Sequence, residues 1–222
     1  MKTMIFENRR EAGRQLATAI IKRGYRGENT LVLGIPRGGL LVAHEVAKNL
    51  SATLDVIIAR KLRAPHQPEL GIGAVVDGDH VHLNEELVRS TGTSQDYLSR
   101  EIAFQKEEVE GRLRFYRGGR PAPEVAGKTV IVVDDGIATG YTLRASLESL
   151  RLRHLDRLVA AAPVAARDSV EMLKAFADEV VCLNTPPFFF AVGAWYRDFD
   201  QVGDEEAVAI LRRNRSGWPL AA

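Results

Sequence analysis

A chain of 222 residues fits one elaborated domain, spanning 1–222, better than two complete ones, and it is long enough to bury a substantial core. Its 30 Lys and Arg nearly balance 29 Asp and Glu, which excludes a general electrostatic pull toward nucleic acid or a membrane surface and leaves recognition to local sites. The single cysteine, Cys182, excludes an internal disulfide, and no stretch has the apolar length of a signal core or a membrane span, so the expectation is a cytoplasmic protein.

The chain alternates short apolar runs with amphipathic stretches. "REAGRQLATAIIKRGY" places Ala12, Leu16, Ala19 and Ile20 at helical spacing, with Gly24 as a stop. "TLVLGI" (30–35) reads as a buried strand, followed by "PRGG" and a helix carrying Leu41, Val42, Val46 and Leu50. "LDVIIA" (54–59) reads as a second strand. The two prolines and mixed charge of "RKLRAPHQPELG" predict a loop, and "IGAVVDGDHVHL" predicts two short strands about an Asp-Gly turn. A capping segment at Thr93 to Asp96 opens a long helix with Leu98, Ile102, Val109, Leu113 and Tyr116 on one face. After the loop "YRGGRPAPEVAGK" come the strand "TVIVV", the helix "TLRASLESLRLR", the strand "LVAAAP", the helix "RDSVEMLKAFA" and the strand "EVVCL". Strands alternating with helices predict a mostly parallel sheet covered on both faces, with ligands bound where loops leave the C-terminal ends of the strands.

Two such ends carry chemistry. In "TVIVVDDGIATGYT" a strand runs into adjacent carboxylates, Asp134 and Asp135, and then into a loop of small residues before a helix. The loop's backbone N–H groups, from Gly136 through Ala138, Thr139, Gly140 and Tyr141 to Thr142, can converge on an anion, with the two threonine hydroxyls as further donors. Carboxylates beside such a cup would repel a phosphate unless a donor-rich group lies between them. Ribose hydroxyls meet that need, because an ionised carboxylate only accepts, and a bound Mg²⁺ would neutralise remaining charge. A ribose 5-phosphate follows from this spacing. Adjacent acids after a strand can equally form a solvated turn with a helix cap, or an acidic metal cluster.

The full string "VIVVDDGIATGYT" resembles the phosphoribosyl-pyrophosphate (PRPP) motif of the type I phosphoribosyltransferases, and the resemblance extends over nearly the whole chain. It is also similar to bacterial members of that family with "RKL" in the loop and a "WY.DF" tail. The family resemblance implies a three-layer α/β fold, with a mostly parallel sheet, one antiparallel edge strand, a flexible loop and a C-terminal hood over about 184–222. It implies transfer of a 5-phosphoribosyl group from Mg²⁺-bound PRPP to a small nitrogenous acceptor with release of diphosphate, without nucleic acid or membrane as partner and with room for a homo-oligomer. By the same resemblance Arg37, Gly38 and Gly39 of "GIPRGG" would meet the diphosphate, joined by Lys61 from the flexible loop, while Arg60 and Arg63 stand nearby. Catalysis would fall to Asp134, Asp135, Arg37 and Lys61, with Asp134 and Asp135 facing the metal directly or through ribose hydroxyls or water. Phe190, Trp195 and Tyr196, in the aromatic tail "TPPFFFAVGAWYRDFDQV", would face the acceptor, most of that cluster being packing. Ala138 stands where family members acting on 6-oxopurines usually carry Asp, which weakens a hypoxanthine or guanine acceptor. A PRPP-responsive regulator that has lost transfer is the alternative from another class. His80 and His82 share a strand face without a third ligand, which does not make a zinc site.

Overall fold

The computed structural model describes residues 5–77 and 80–214. It contains two sheets. The larger has five parallel strands in the order β2-β1-β6-β7-β8, where β1 is Thr30–Gly34, β2 Thr53–Val56, β6 Thr129–Val133, β7 Arg157–Val164 and β8 Glu179–Asn184. The smaller is antiparallel, β3-β4-β5, built from Ala59–Ala64, Gln67–Val76 and His80–Leu83.

The continuous apolar runs of β1, β6 and β7 follow from burial on both faces. Their alternation sorts neighbours to opposite sides, as a period of two requires. Val32, Ile131, Val133, Val159 and Ala161 join the core built by α1 (Arg9–Ile21), α2 (Gly38–Leu50), α4 (Gln95–Arg117) and α7 (Asp204–Arg213). Leu31, Leu33, Val130, Val132 and Ala160 join the core built by α5 (Tyr141–Arg151) and α6 (Arg167–Leu173). Helices on both faces of one sheet make the three layers that the α/β reading expects.

Three segments differ from the sequence expectation. The antiparallel component is a separate three-stranded sheet rather than one strand on the edge of the parallel sheet. At Ile57 the chain makes its last bond to the parallel sheet, donating to the Gly34 carbonyl at an ordinary ladder distance (3.1 Å). Ile58 is then captured by Asp77, whose N–H donates to the Ile58 carbonyl (2.9 Å) while its Oδ1 accepts from the Ile58 N–H (3.3 Å). That exchange turns the chain out of the larger sheet, so "LDVIIA" is not one strand.

The second difference follows directly. "RKLRAPHQPELG" is not a loop but the β3–β4 hairpin, turning at Pro65 and His66, with His66 at φ 63°. Its charges hide a period of two, because Leu62 and Ala64 are buried while the arginines and lysine between them are not. The third is α3 (Glu85–Ser90), too short to show periodicity, capped by Asn84 through its side-chain oxygen and the Leu87 N–H (3.1 Å). Of the expected Asp-Gly turn only Asp77 is among the described residues, and Gly78 and Asp79 lie outside them, as do residues 215–222 of the expected hood. The long helix begins within the expected capping segment, with Ser94 accepting from the Tyr97 N–H (3.2 Å).

Strand order places the site. β1 leads through α2 to β2 on one side, whereas β6 lies on the other side of β1 and continues outward through β7 and β8. The order in which strands are added therefore reverses between β1 and β6, and Gly34 sits opposite Val133 in the register. The "PRGG" and "DDGIATG" loops leave adjacent strand ends at this switch point, where open α/β sheets bind ligands.

Candidate active site

The two loops touch. A Cβ added at Gly38 would collide with Asp135 Oδ2, and one added at Gly39 would fall 2.9 Å from the Asp134 Cα. Only glycine lets the "PRGG" backbone approach the carboxylates this closely. Arg37 precedes these glycines, after a cis Pro36–Arg37 peptide, with its Nη1 4.0 Å from Asp204.

The two aspartates are held differently. Asp135 Oδ2 receives Arg9 Nε at 2.7 Å, with both side chains nearly buried. Asn8 caps α1 and so sets Arg9 in its first turn, where Arg9 also donates to the Asp200 carbonyl (2.9 Å) and lies 3.8 Å over the Phe199 ring. Asp134 Oδ1 accepts the Asp135 N–H (2.8 Å). Burial, and then the neighbouring Asp135 charge, raise the Asp134 carboxyl well above the ordinary range. No cation pairs directly with it among the described residues.

Beyond the carboxylates the loop is pinned at Ile137, whose N–H donates to the Val164 carbonyl (2.9 Å) and whose side chain is buried. Gly136 packs so tightly under Val192 that a Cβ would collide with Val192 Cγ1. Ala138 and Thr139 are exposed, and among the described residues none accepts from their N–H groups. Gly140, at φ 74°, caps α5 with no side chain to satisfy the helix N-terminus, and Tyr141 and Thr142 stand exposed beside it. Free N–H groups at a helix start are donors for an anion.

A cleft of about 390 Å³ opens over this edge, lined by Arg37, Gly38, Asp134, Asp135 and Thr142 and walled by Arg60 and Arg112. Arg60, on β3, donates to Gln105 Oε1 (3.0 Å) and lies 3.4 Å from Glu108, both on α4. Lys61, its neighbour on the strand, does not line the cleft. Alternation along β3 turns it the other way, and its Nζ donates to the Glu69 carbonyl across the hairpin (2.7 Å).

The aromatic tail divides by burial. Tyr196 is 6 % exposed, packs between Phe6 and Phe199, and donates its hydroxyl to the Asp135 carbonyl. Trp195 packs in the same cluster and accepts the Phe6 N–H through its carbonyl (2.9 Å). The Tyr196 hydroxyl braces the Asp135 backbone, the Trp195 carbonyl holds the N-terminal segment, and neither residue lines the cleft. Phe190 is 90 % exposed and touches neither cleft wall.

The sequence reading missed Arg9 and Arg112 and favoured Lys61 over Arg60. Arg9 lies 126 residues from the aspartate it neutralises, a distance at which no local pattern gives a signal. A period-two reading of "ARKLRA" would have separated Arg60 from Lys61. His80 and His82 serve as contacts, Arg153 donating to His80 (3.2 Å) and Glu148 lying 3.2 Å from His82. Cys182 is mostly buried, its thiol pushed up to about 11 by burial.

Residues 3–198 match the model of the family described as phosphoribosyl transferase domain. A Mycobacterium tuberculosis (strain H37Rv) protein with the name "Putative phosphoribosyl transferase" is 44 % identical over 211 residues, 94 % of this chain and 47 % of its own length. The chain thus spans about half the length of the curated relatives it matches. The crystal structure of TT1426 from Thermus thermophilus superposes with a TM-score of 0.84 at 44 % identity, over 95 % of this chain and 99 % of that one. The AQ2163 protein from Aquifex aeolicus, at 13 % identity and a TM-score of 0.51 over 91 % and 84 %, shares the fold.

Proposed function

The chain belongs to the phosphoribosyl transferase family, and from that premise we propose that it transfers a 5-phosphoribosyl group from PRPP to a small nitrogenous acceptor, releasing diphosphate. The observation that carries this reading is the lining of one cleft by two acidic residues and three arginines, Asp134 and Asp135 together with Arg37, Arg60 and Arg112. A ligand complementary to that wall pattern carries both hydroxyl donors and several anionic oxygens. PRPP has that composition.

In the proposed reaction the 5-phosphate takes the N–H groups of Ala138 to Thr142, and the ribose hydroxyls donate to the aspartates. As the C1–O bond to diphosphate lengthens, positive charge grows on the ring, and the acceptor nitrogen's lone pair forms the new bond at C1. The diphosphate leaves with the bonding electron pair, and the arginines stabilise its oxygens. The acceptor nitrogen then gives up its proton to water or to the departing diphosphate. No side-chain nucleophile is required, so catalysis rests on positioning and charge.

The residues present fit Mg²⁺ in a limited way. Asp134 and Asp135 offer two carboxylates, one already engaged by Arg9, which suits an ion held mainly by substrate oxygens and water. When bound, Mg²⁺ would neutralise diphosphate charge beside these carboxylates.

The test is diphosphate release with PRPP, Mg²⁺ and a panel of nucleobases and related nitrogen compounds, using the whole chain. Release that needs PRPP, Mg²⁺ and one acceptor class supports transfer. Silence with every acceptor while calorimetry still detects PRPP supports the regulator reading, and failure to bind PRPP overturns both.

A further inference from the structure

The start of α6 holds the loop after β6, and one side chain leaves its own helix to do so. Ser169 is buried. A serine inside a helix commonly bonds the carbonyl one turn back. Ser169 instead donates its hydroxyl to the Ala138 carbonyl at 2.5 Å, 31 residues earlier in the chain. Three residues before it, the Ala166 N–H donates to the Ile137 carbonyl (2.9 Å). Two successive peptide groups of the loop are thus fastened through their oxygens. Gly140 records the same close approach, since a Cβ there would lie 2.9 Å from Met172 Cε and 3.4 Å from Ser169 Cβ. Ser169 and Met172, three residues apart, share the helix face that meets the loop.

Fastening the oxygens aims the nitrogens. Both peptides are trans, and in a planar trans peptide the carbonyl and the next residue's N–H point in opposite directions. With the Ile137 and Ala138 oxygens turned to α6, the Ala138 and Thr139 N–H groups turn away from it, to the side where both residues are exposed. These two donors open the anion cup. The first fastening joins backbone to backbone and owes nothing to a side chain. The second rests on one hydroxyl. Without that hydroxyl the exposed Ala138–Thr139 peptide can turn over, with water satisfying it in either orientation. A turned peptide would present a carbonyl oxygen to the phosphate where an N–H now stands, and the two would repel.

We propose that Ser169 is a positioning residue of the phosphate cup, its hydroxyl holding the Ala138 carbonyl so that the Thr139 N–H stays aimed at the ligand's 5-phosphate. The inference rests on the proposed placing of that phosphate at Ala138 to Thr142. Ser169 acts through the peptide and touches no substrate atom itself. Its removal weakens ligands that carry a 5-phosphate. Because that phosphate is held alike before and during the reaction, KM for PRPP should rise further than kcat falls.

Calorimetry of the whole chain with ribose 5-phosphate and with PRPP reads the affinity, and the amide resonance of Thr139 reads the donor. In the wild type that resonance should move as ribose 5-phosphate is added. Ser169→Ala should weaken both ligands by about tenfold, one decade in Kd, and shrink the Thr139 shift. Ser169→Cys keeps the size of the side chain but offers only a weak donor, so it should fall with Ser169→Ala. Ser169→Thr keeps the hydroxyl and should bind as the wild type does. If Ser169→Ala fails to fold by circular dichroism, the cysteine and threonine variants decide. Wild-type affinity in Ser169→Ala or Ser169→Cys overturns the inference, even where the denaturation midpoint falls, and leaves Ser169 as scaffold. Equal weakening in all three variants also overturns it, because the site would then require serine's volume and not its hydroxyl. A wild type that binds neither ligand overturns the phosphate reading itself, and the inference with it.

Discussion

Two clusters in this molecule each place a pair of aspartates against arginine, and they end differently. Where the two sheets part, Arg117 Nε lies 2.8 Å from Asp55 Oδ2, its Nη2 lies 3.8 Å from Asp77, and Arg153 Nη1 approaches Asp77 at 3.7 Å. Two carboxylates there meet two guanidiniums. At the cleft, Asp134 and Asp135 have one buried arginine between them, Arg9, which bonds Asp135 and not Asp134. The first cluster closes on itself and holds β2, β4 and α4 together. The second leaves one carboxylate with acceptor capacity unspent, in the one place where a ligand rich in hydroxyl donors could use it. Surplus charge of this kind is a mark of a site rather than of scaffold.

The largest test of that contrast is at Arg117. Arg117→Ala would leave Asp55 and Asp77 buried without their shared cation, and breaking a buried pair from one side costs about 3–5 kcal/mol. Chemical denaturation should show the midpoint falling without a change in the fold's remaining spectroscopic signature before unfolding. A loss below about 1 kcal/mol, the scale of an exposed pair, would mean that the cluster is hydrated and the contrast with the cleft is false.

Arg9→Ala should cost less, about 2–3 kcal/mol, because water entering from the cleft can solvate Asp135 once the guanidinium is gone. PRPP affinity should fall as well, since two neighbouring carboxylates would then ionise less readily together. Arg9→Lys keeps the charge but not the fork that serves both Asp135 and the Asp200 carbonyl, and should fall between. Equal stability losses for Arg9→Ala and Arg117→Ala would erase the distinction between an open and a closed cluster.

Smaller again is Tyr196→Phe. It removes the hydroxyl that donates to the Asp135 carbonyl and keeps the ring between Phe6 and Phe199, so the expected loss is about 1 kcal/mol. Because the Asp135 backbone then loosens, transfer should slow more than PRPP affinity weakens. A variant that instead raises KM for the acceptor alone, with stability unchanged, would return Tyr196 to the cleft.

The same contrast explains what the sequence made legible. The loop after β6 could be read because its chemistry is contiguous: two acids, small residues and a helix start follow one another within nine positions, Asp134 to Thr142. The strands β1, β6 and β7 could be read because burial on both faces leaves unbroken apolar runs. The cluster of Asp55, Asp77, Arg117 and Arg153 could not, since its members come from four separate segments and each looks alone like a surface charge. The hairpin was hidden for a related reason. Arg60, Lys61 and Arg63 dominate "ARKLRA" by charge, while the period of two that makes it a strand rests on Leu62 and Ala64. Arg9 reaches Asp135, and Arg112 the cleft, only through helix packing, and no spacing rule connects either to β6.

The smallest effect on stability is expected at Asp134, and it has the opposite sign. Asp134→Asn keeps the oxygen that accepts the Asp135 N–H and removes a half-buried charge with no cation of its own, so near neutral pH the variant should be slightly more stable than the wild type, by about 1 kcal/mol or less. The pH dependence fixes the cause. The folded protein holds the Asp134 proton to higher pH than the unfolded chain does, so the folded state binds more protons within that window. Wild-type stability from this group is therefore complete below the ordinary carboxylate range, falls as pH rises toward the raised value, and stays reduced above it. The variant lacks this loss, so the two stability curves should converge in acid and separate toward neutrality. PRPP binding should move against stability, because an amide oxygen is a poorer acceptor than a carboxylate and a hydrogen bond to a charged group contributes about 1.5–3 kcal/mol. Parallel curves across the whole pH range would show that Asp134 ionises in the folded state as freely as in the unfolded one, and the unneutralised carboxylate would cease to distinguish the cleft from the scaffold.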